Sequence, residues 1–146
     1  MKKVIKNLIK ICGSLLVLFG FLSLVNSCNK VPYADYFIDG KIVSEDTDLA
    51  INGLKVSIKE ESNPHDSILL IETKFTNQDG EFAFVFGGNV IMKYVIEVQD
   101  IDGEENGAFN DTIINVTVSS NEFAGGGKGY EGKYHKHFDI KLKPKN

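Results

Sequence analysis

Arginine is absent from the 146-residue chain, cysteine occurs twice and proline three times. Each shortage excludes something. All sixteen basic residues are lysines, and four of them, Lys2, Lys3, Lys6 and Lys10, crowd the first ten positions. From residue 28 onward, twelve lysines face twenty aspartates and glutamates, a net charge of −8. An acidic surface without arginine repels phosphate backbones, so nucleic acid is not expected as a partner. The two cysteines, Cys12 and Cys28, sit near the start, and nothing after them can form a disulfide or supply a thiolate ligand. No long stretch has helical periodicity, which points away from helical architecture. The one long apolar run, Ile11 to Val25, is shorter than the roughly 20 residues that cross a bilayer.

A lysine-rich start, a short apolar stretch and a small residue before a polar break make a secretory signal peptide at residues 1–27. Leu24-Val25-Asn26-Ser27-Cys28 resembles a lipobox, the recognition sequence of bacterial lipoprotein signal peptidase. Val25 stands where Leu is usual, and Asn26 where a small or aliphatic residue is commonest. The resemblance implies that Cys28 becomes the acylated N-terminus. Three acyl chains exceed the two signals that stable membrane anchoring needs. The membrane is then a tether, and localisation is the cell envelope, at the outer membrane. Residues 28–35 read as a short lipidated tether containing Pro32.

Residues 36–143 read as one domain, large enough for a self-sufficient core. Period-two alternation recurs at Tyr36–Ile42, Leu54–Ile58, Phe82–Phe86, Tyr94–Val98, Ile114–Val118 and Phe138–Leu142, with a denser apolar run at Ile68–Phe75. Side chains alternate across a strand, so each set buries one face and wets the other. Asn52-Gly53, Asp79-Gly80, Gly87-Gly88-Asn89 and Asp102-Gly103 are turn signals between them. Seven such strands predict an all-β fold, a seven-stranded antiparallel β-sandwich.

Gly40-Lys41-Ile42-Val43, Ile51 to Ile58 and Thr76 to Phe84 resemble the transthyretin-like, carboxypeptidase-regulatory type of sandwich. In that likeness Asn52-Gly53 and Asp79-Gly80 make the turns and the flanking alternation sets register. The whole chain is similar to the lipoproteins of the radical-SAM/lipoprotein system of Bacteroides-type bacteria. The segments that carry this are Pro32-Tyr33-Ala34-Asp35-Tyr36, Asp100 to Gly107, and Gly127-Lys128-Gly129-Tyr130-Glu131-Gly132. Tyr130 lacks the second aromatic that the family form carries beside it. The resemblance implies a radical-SAM enzyme as neighbour, with this chain as its partner or substrate.

Several residues could carry chemistry. Asp100, Asp102 and Glu104 head a loop rich in oxygen ligands, and calcium takes six to eight oxygens. The spacing is not that of an EF-hand, and a solvated acidic turn is the other reading. His135 and His137 share the solvent face of one strand beside Asp139, a pair that needs further ligands before it could hold zinc or copper. Gly125 to Gly129 lacks the Gly-Lys-Ser/Thr ending and following helix of a phosphate loop, so a mobile loop is expected. Asp66-Ser67-Ile68 and Asp111-Thr112-Ile113 resemble the O-glycosylation acceptor of Bacteroides-type bacteria, with Ser67 and Thr112 as acceptors. No nucleophile–base arrangement stands out. The expectation is a non-catalytic envelope lipoprotein, no cofactor beyond a possible-ligand calcium, and either a radical-SAM partnership or a binding module for a carbohydrate, a protein or calcium.

Overall fold

The computed structural model describes residues 32–62, 67–103 and 107–145. Residues 1–27 and Cys28 lie outside these. Val31–Asn146 forms one compact unit. Its strands are β1 (Tyr33–Ser44), β2 (Lys55–Ser62), β3 (Ser67–Phe75), β4 (Glu81–Asn89), β5 (Lys93–Gln99), β6 (Thr112–Thr117), β7 (Phe123–Ala124) and β8 (Tyr130–Leu142). A single 3-10 turn, Ser120–Glu122, precedes β7. One sheet has the order β4-β1-β8-β7 and the other β3-β2-β5-β6.

The alternation foreseen in the sequence is the burial pattern observed. In β1, Ala34, Tyr36, Ile38 and Ile42 are buried, and in β4 Phe82 and Phe84 are buried while Glu81, Ala83 and Val85 face water. Val56, Ile58, Tyr94, Ile96 and Val98 supply the opposing face from β2 and β5. Three buried phenols keep partners. The Tyr36 hydroxyl accepts the Ile91 N–H at 2.5 Å, and the Tyr94 and Tyr134 hydroxyls lie 3.2 Å apart. Burial pushes all three above the usual tyrosine value.

The architecture is the expected two-sheet, seven-stranded sandwich, with the two-residue β7 added. Four details differ from the sequence reading or add to it. First, β1 starts at Tyr33, inside the stretch read as tether, because Ala34 continues the buried face of Tyr36 and Ile38. Second, β1 and β8 pair in parallel from Tyr33↔Tyr130 to Ser44↔Leu142. All other strand pairs are antiparallel.

Third, the turns at Asn52-Gly53 and Asp79-Gly80 lead the chain from one sheet to the other. At the second turn Asn77 Oδ1 accepts the N–H groups of Asp79 and Glu81. Gly80 there has φ 73°, and a Cβ on it would collide with the Ile42 carbonyl oxygen. Turn residues dictate local φ, not the sheet that the next strand joins. Fourth, the glycine run carries a bridge of its own. Gly127 and Tyr130 exchange backbone hydrogen bonds of 2.7 and 3.0 Å, closing a tight turn into β8.

The dense run Ile68–Phe75 forms an edge strand, with Leu69, Leu70 and Phe75 exposed. A register shift opposite Ile58/Lys59 interrupts its ladder. Such a bulge, with Lys74 on the strand, hinders pairing of the edge with another chain.

Candidate functional site

Because β1 and β8 are parallel, their starts share one end of the sandwich, the end that follows Cys28 in sequence. Tyr33 donates its N–H to Gly129 O at 3.4 Å, Val90 donates to Pro32 O at 3.0 Å, and Val118 donates to Met92 O at 2.8 Å. Residues 45–54, 76–80, 100–103, 107–111 and 143–145 gather at the far end. There Thr76, buried, donates to Ile51 O at 2.8 Å and accepts the Leu54 N–H at 3.0 Å. The C-terminal residues clamp the acidic loop. Asn110 N–H donates to Lys143 O at 3.0 Å, and Lys145 N–H to Ala108 O at 2.8 Å.

Within that loop, Asp100 works for the backbone. Its Oδ2 accepts the Phe109 N–H at 2.7 Å, and its own N–H donates to Asp111 Oδ1 at 3.2 Å. Asp100 Oδ1 is buried without a hydrogen-bond partner among the described residues. Asp102 is half-buried, and Glu104 lies outside the described residues. Among the described residues no three His, Cys, Asp or Glu side chains are placed together to hold a metal.

The far half of the first sheet's outer face carries a groove of about 430 Å³, lined by Asp39, Lys41, Glu81, His137 and Asp139, with Phe75 of β3 at its rim. Strand register builds it in rows. Ala83, Asp39 and His137 are neighbours in one row, and Glu81, Lys41 and Asp139 in the next. His137 Nδ1 lies 3.2 Å from Asp39 Oδ1, and its Nε2 lies 3.5 Å from Asp139 Oδ1. The hydrogen bond to Asp39, aided by the charges of both carboxylates, holds the imidazole above its ordinary value near 6.5. All three side chains are more than half exposed, so solvent screens the pairs. One row nearer the start of β1, the His135 ring stacks on Phe37 at 4.5 Å and 5°, with Lys133 Nζ 6.0 Å from the Phe37 centroid.

His135 and His137 therefore do share the solvent face, as their spacing predicts. Sequence reasoning missed their β1 partners. Phe37 and Asp39 alternate with buried Tyr36 and Ile38, so their outward direction was readable, but the parallel pairing that brings them to β8 was not. Ser67 opens β3 at the end near Cys28, and its side chain lies outside the description. Thr112 opens β6 at the far end, half-buried, with its hydroxyl donating to Asn110 O at 3.4 Å.

Two of the three segments behind the lipoprotein resemblance meet in space. Tyr130 donates its hydroxyl to Asp35 Oδ2 at 2.8 Å, which raises its pKa, and its ring lies 6.3 Å from that of Tyr33. The third segment, from Asp100, is at the opposite end.

No family model matches the chain, and no curated protein matches it. Similar solved structures include the group B streptococcus pilus 2b backbone protein, 12% identical, with TM-score 0.46 over 74% of this chain and 40% of that one. Another is Klebsiella pneumoniae 5-hydroxyisourate hydrolase, 15% identical, with TM-score 0.45 over 75% of this chain and 92% of that one. A third is Acinetobacter radioresistens catechol 1,2 dioxygenase, 11% identical, with TM-score 0.49 over 83% of this chain and 55% of that one. This chain thus spans less than two thirds of the pilus protein and of the dioxygenase. At such identities the likeness concerns the fold alone.

Proposed function

We propose that this chain is a membrane-anchored cell-envelope lipoprotein, held at the outer membrane through Cys28, whose non-catalytic sandwich is the partner or substrate of a radical-SAM enzyme. The observation that carries the anchor is the Ser27-Cys28 pair at the end of the apolar run, followed so soon by β1 at Tyr33. A fold that starts this near the acylated residue leaves only a short tether, which suits a domain displayed at a membrane. The absence of a nucleophile–base pair in the sequence supports a non-catalytic role, as does the exposure of the His137 cluster, whose three side chains are all more than half open to solvent. Excluding water is what gives such a cluster electrostatic power, and an open sheet face does not do so.

Cys28→Ala should release the protein from membranes into the soluble envelope fraction. Membrane association that survives this substitution and detergent-free washing overturns the anchor. For the partnership, a radical-SAM gene beside this one and an enzyme-dependent mass change on one residue are the expected findings. An unchanged mass after co-expression removes the substrate role.

A second reading is a binding module for calcium, a carbohydrate or a protein, and one observation favours the calcium form. Asp100 Oδ1 is buried with no hydrogen-bond partner among the described residues, in the loop that also carries Asp102 and Glu104. A bound cation would satisfy that oxygen. Calcium at a hundredfold excess over its dissociation constant stabilises a folded domain by about 2.7 kcal/mol. The melting temperature should therefore rise with calcium, and the rise should vanish in Asp102→Asn, Glu104→Gln. Identical melting with calcium and with chelator at matched ionic strength leaves the loop as a solvated turn.

A further inference from the structure

We infer that the sandwich stands end-on against its own membrane, with the Tyr33, Met92 and Lys128 end in the headgroup layer and the acidic loop and groove facing away. The inference rests on the lipid anchor proposed above. It is carried by tether length, charge distribution and the side chains that the near end exposes.

Tyr33 comes five positions after Cys28, with four residues between them. Fully extended, this stretch spans at most about 18 Å. The 12 residues of β1 carry the chain about 40 Å further to the far end. The far end therefore cannot reach the bilayer tip-first, and only two postures remain, upright or lying on a sheet face.

Charge favours upright. Among the described residues, the connections at the near end carry Lys128 against Glu122. At the far end, Glu45, Asp46, Asp48, Asp79, Asp100, Asp102 and Asp111 face only Lys143 and Lys145. These seven carboxylates and two lysines leave a net −5 on the end away from the anchor, several Debye lengths from a bilayer surface when the domain is upright. Lying on the first sheet's outer face would press Asp39, Glu81 and Asp139 against headgroups and desolvate them.

The near end presents side chains suited to an interface instead. Tyr33 is 46% and Met92 48% exposed, and Lys128 projects from the glycine turn. Tyrosine is amphipathic and favours the headgroup level, and a lysine stem can lie along apolar surface while its ammonium stays wet. The upright posture gives the groove and the acidic loop unobstructed access to a partner.

The test uses the full lipidated protein in vesicles of phosphatidylethanolamine and phosphatidylglycerol. Single cysteines replace Met92 at the near end, Val85 and Ile113 on the two outer faces, and Asp79 at the far end. Each carries an environment-sensitive fluorophore, quenched by lipid bearing a headgroup nitroxide. Position 92 should be quenched several-fold more than 85, 113 or 79. Equal quenching at 92 and at either face position means that the domain lies flat, and no quenching anywhere means that it stands clear. Either result overturns the inference while the anchor stands. A mass spectrum showing unmodified Cys28 overturns the anchor and the inference together.

Discussion

On its inner face the first sheet presents the rings of Tyr36, Phe82, Phe84, Phe86 and Tyr134 beside Ile38, Ile42, Ile140 and Leu142, whereas the second presents mainly branched aliphatics, Val56, Ile58, Ile96 and Val98, with one ring, Tyr94. The outer faces differ too. On the second sheet Lys59 meets Glu97 at 2.5 Å, Ser57 meets Thr73 at 3.0 Å and Lys55 meets Gln99 at 3.1 Å. Those groups pair among themselves. On the first sheet His137 sits between two carboxylates in an open groove, and Phe37 and His135 stack in the row beside it. Rings bury more area per residue than branched aliphatics do, so truncating one on the first sheet empties more of the core. Its other side keeps polar groups that a ligand or partner could engage.

The sharpest test of that division is Phe84→Ala, which should destabilise the domain by about 3–5 kcal/mol through the cavity it leaves. Ile58→Val on the facing sheet should cost about 0.5–1.5 kcal/mol. Glu81→Ala, pointing outward from the same strand as Phe84, should stay within about 0.5 kcal/mol of the parent. Urea denaturation ranks the three. A Phe84 variant as stable as the Glu81 variant would reverse the inside and outside of β4.

Next in size is the one hydrogen bond between the two sheets' tyrosines. Tyr134→Phe removes the partner of the buried Tyr94 hydroxyl, and stranding it should cost about 1–3 kcal/mol. The double variant with Tyr94→Phe should recover much of that loss, since replacing both partners by apolar groups can be nearly neutral. A double variant no better than the single would mean that the hydroxyl pair contributes little and the rings carry the contact.

The smallest effect concerns the outer face. A histidine whose folded pKa is raised stabilises the fold fully below its unfolded value, near 6.5, and that contribution fades as pH rises through the raised folded value. Solvent screening of so exposed a pair keeps the stability change slight, so the measurement is the NMR titration of His137. Its midpoint should lie above 6.5 and fall in Asp39→Asn. A midpoint unchanged by that substitution would show that the Asp39 contact does not persist in solution.

How much was legible follows from the range of each signal. The inward face of each long strand was readable because alternation is local. Phe82, Phe84 and Phe86 face inward in the strand where the sequence puts them. The start of β1 was misplaced because one small residue, Ala34, is a faint mark of burial. The edge position of β3 was hidden because an apolar run reads alike at an edge or a centre. The groove was half-legible. His135 and His137 declare their shared face, but Asp39 lies 98 residues from His137 and joins it only through strand pairing.

By itself the sequence determined the lipobox-like start, the all-β character, the inward face of each strand and the acidity of the Asp100–Asp111 loop. These depend on residues within a few positions of one another. Only the tertiary structure decided that Asn52-Gly53 and Asp79-Gly80 turn the chain from one sheet to the other, and that β1 runs parallel to β8. The same pairing decided that the acidic loop and the C-terminal residues meet at the end opposite Tyr33. Turn chemistry and alternation say how a strand begins and which way its side chains face. Which strand lies beside it is settled by burying both sheets' apolar faces at once, a condition on the whole chain that no local stretch contains.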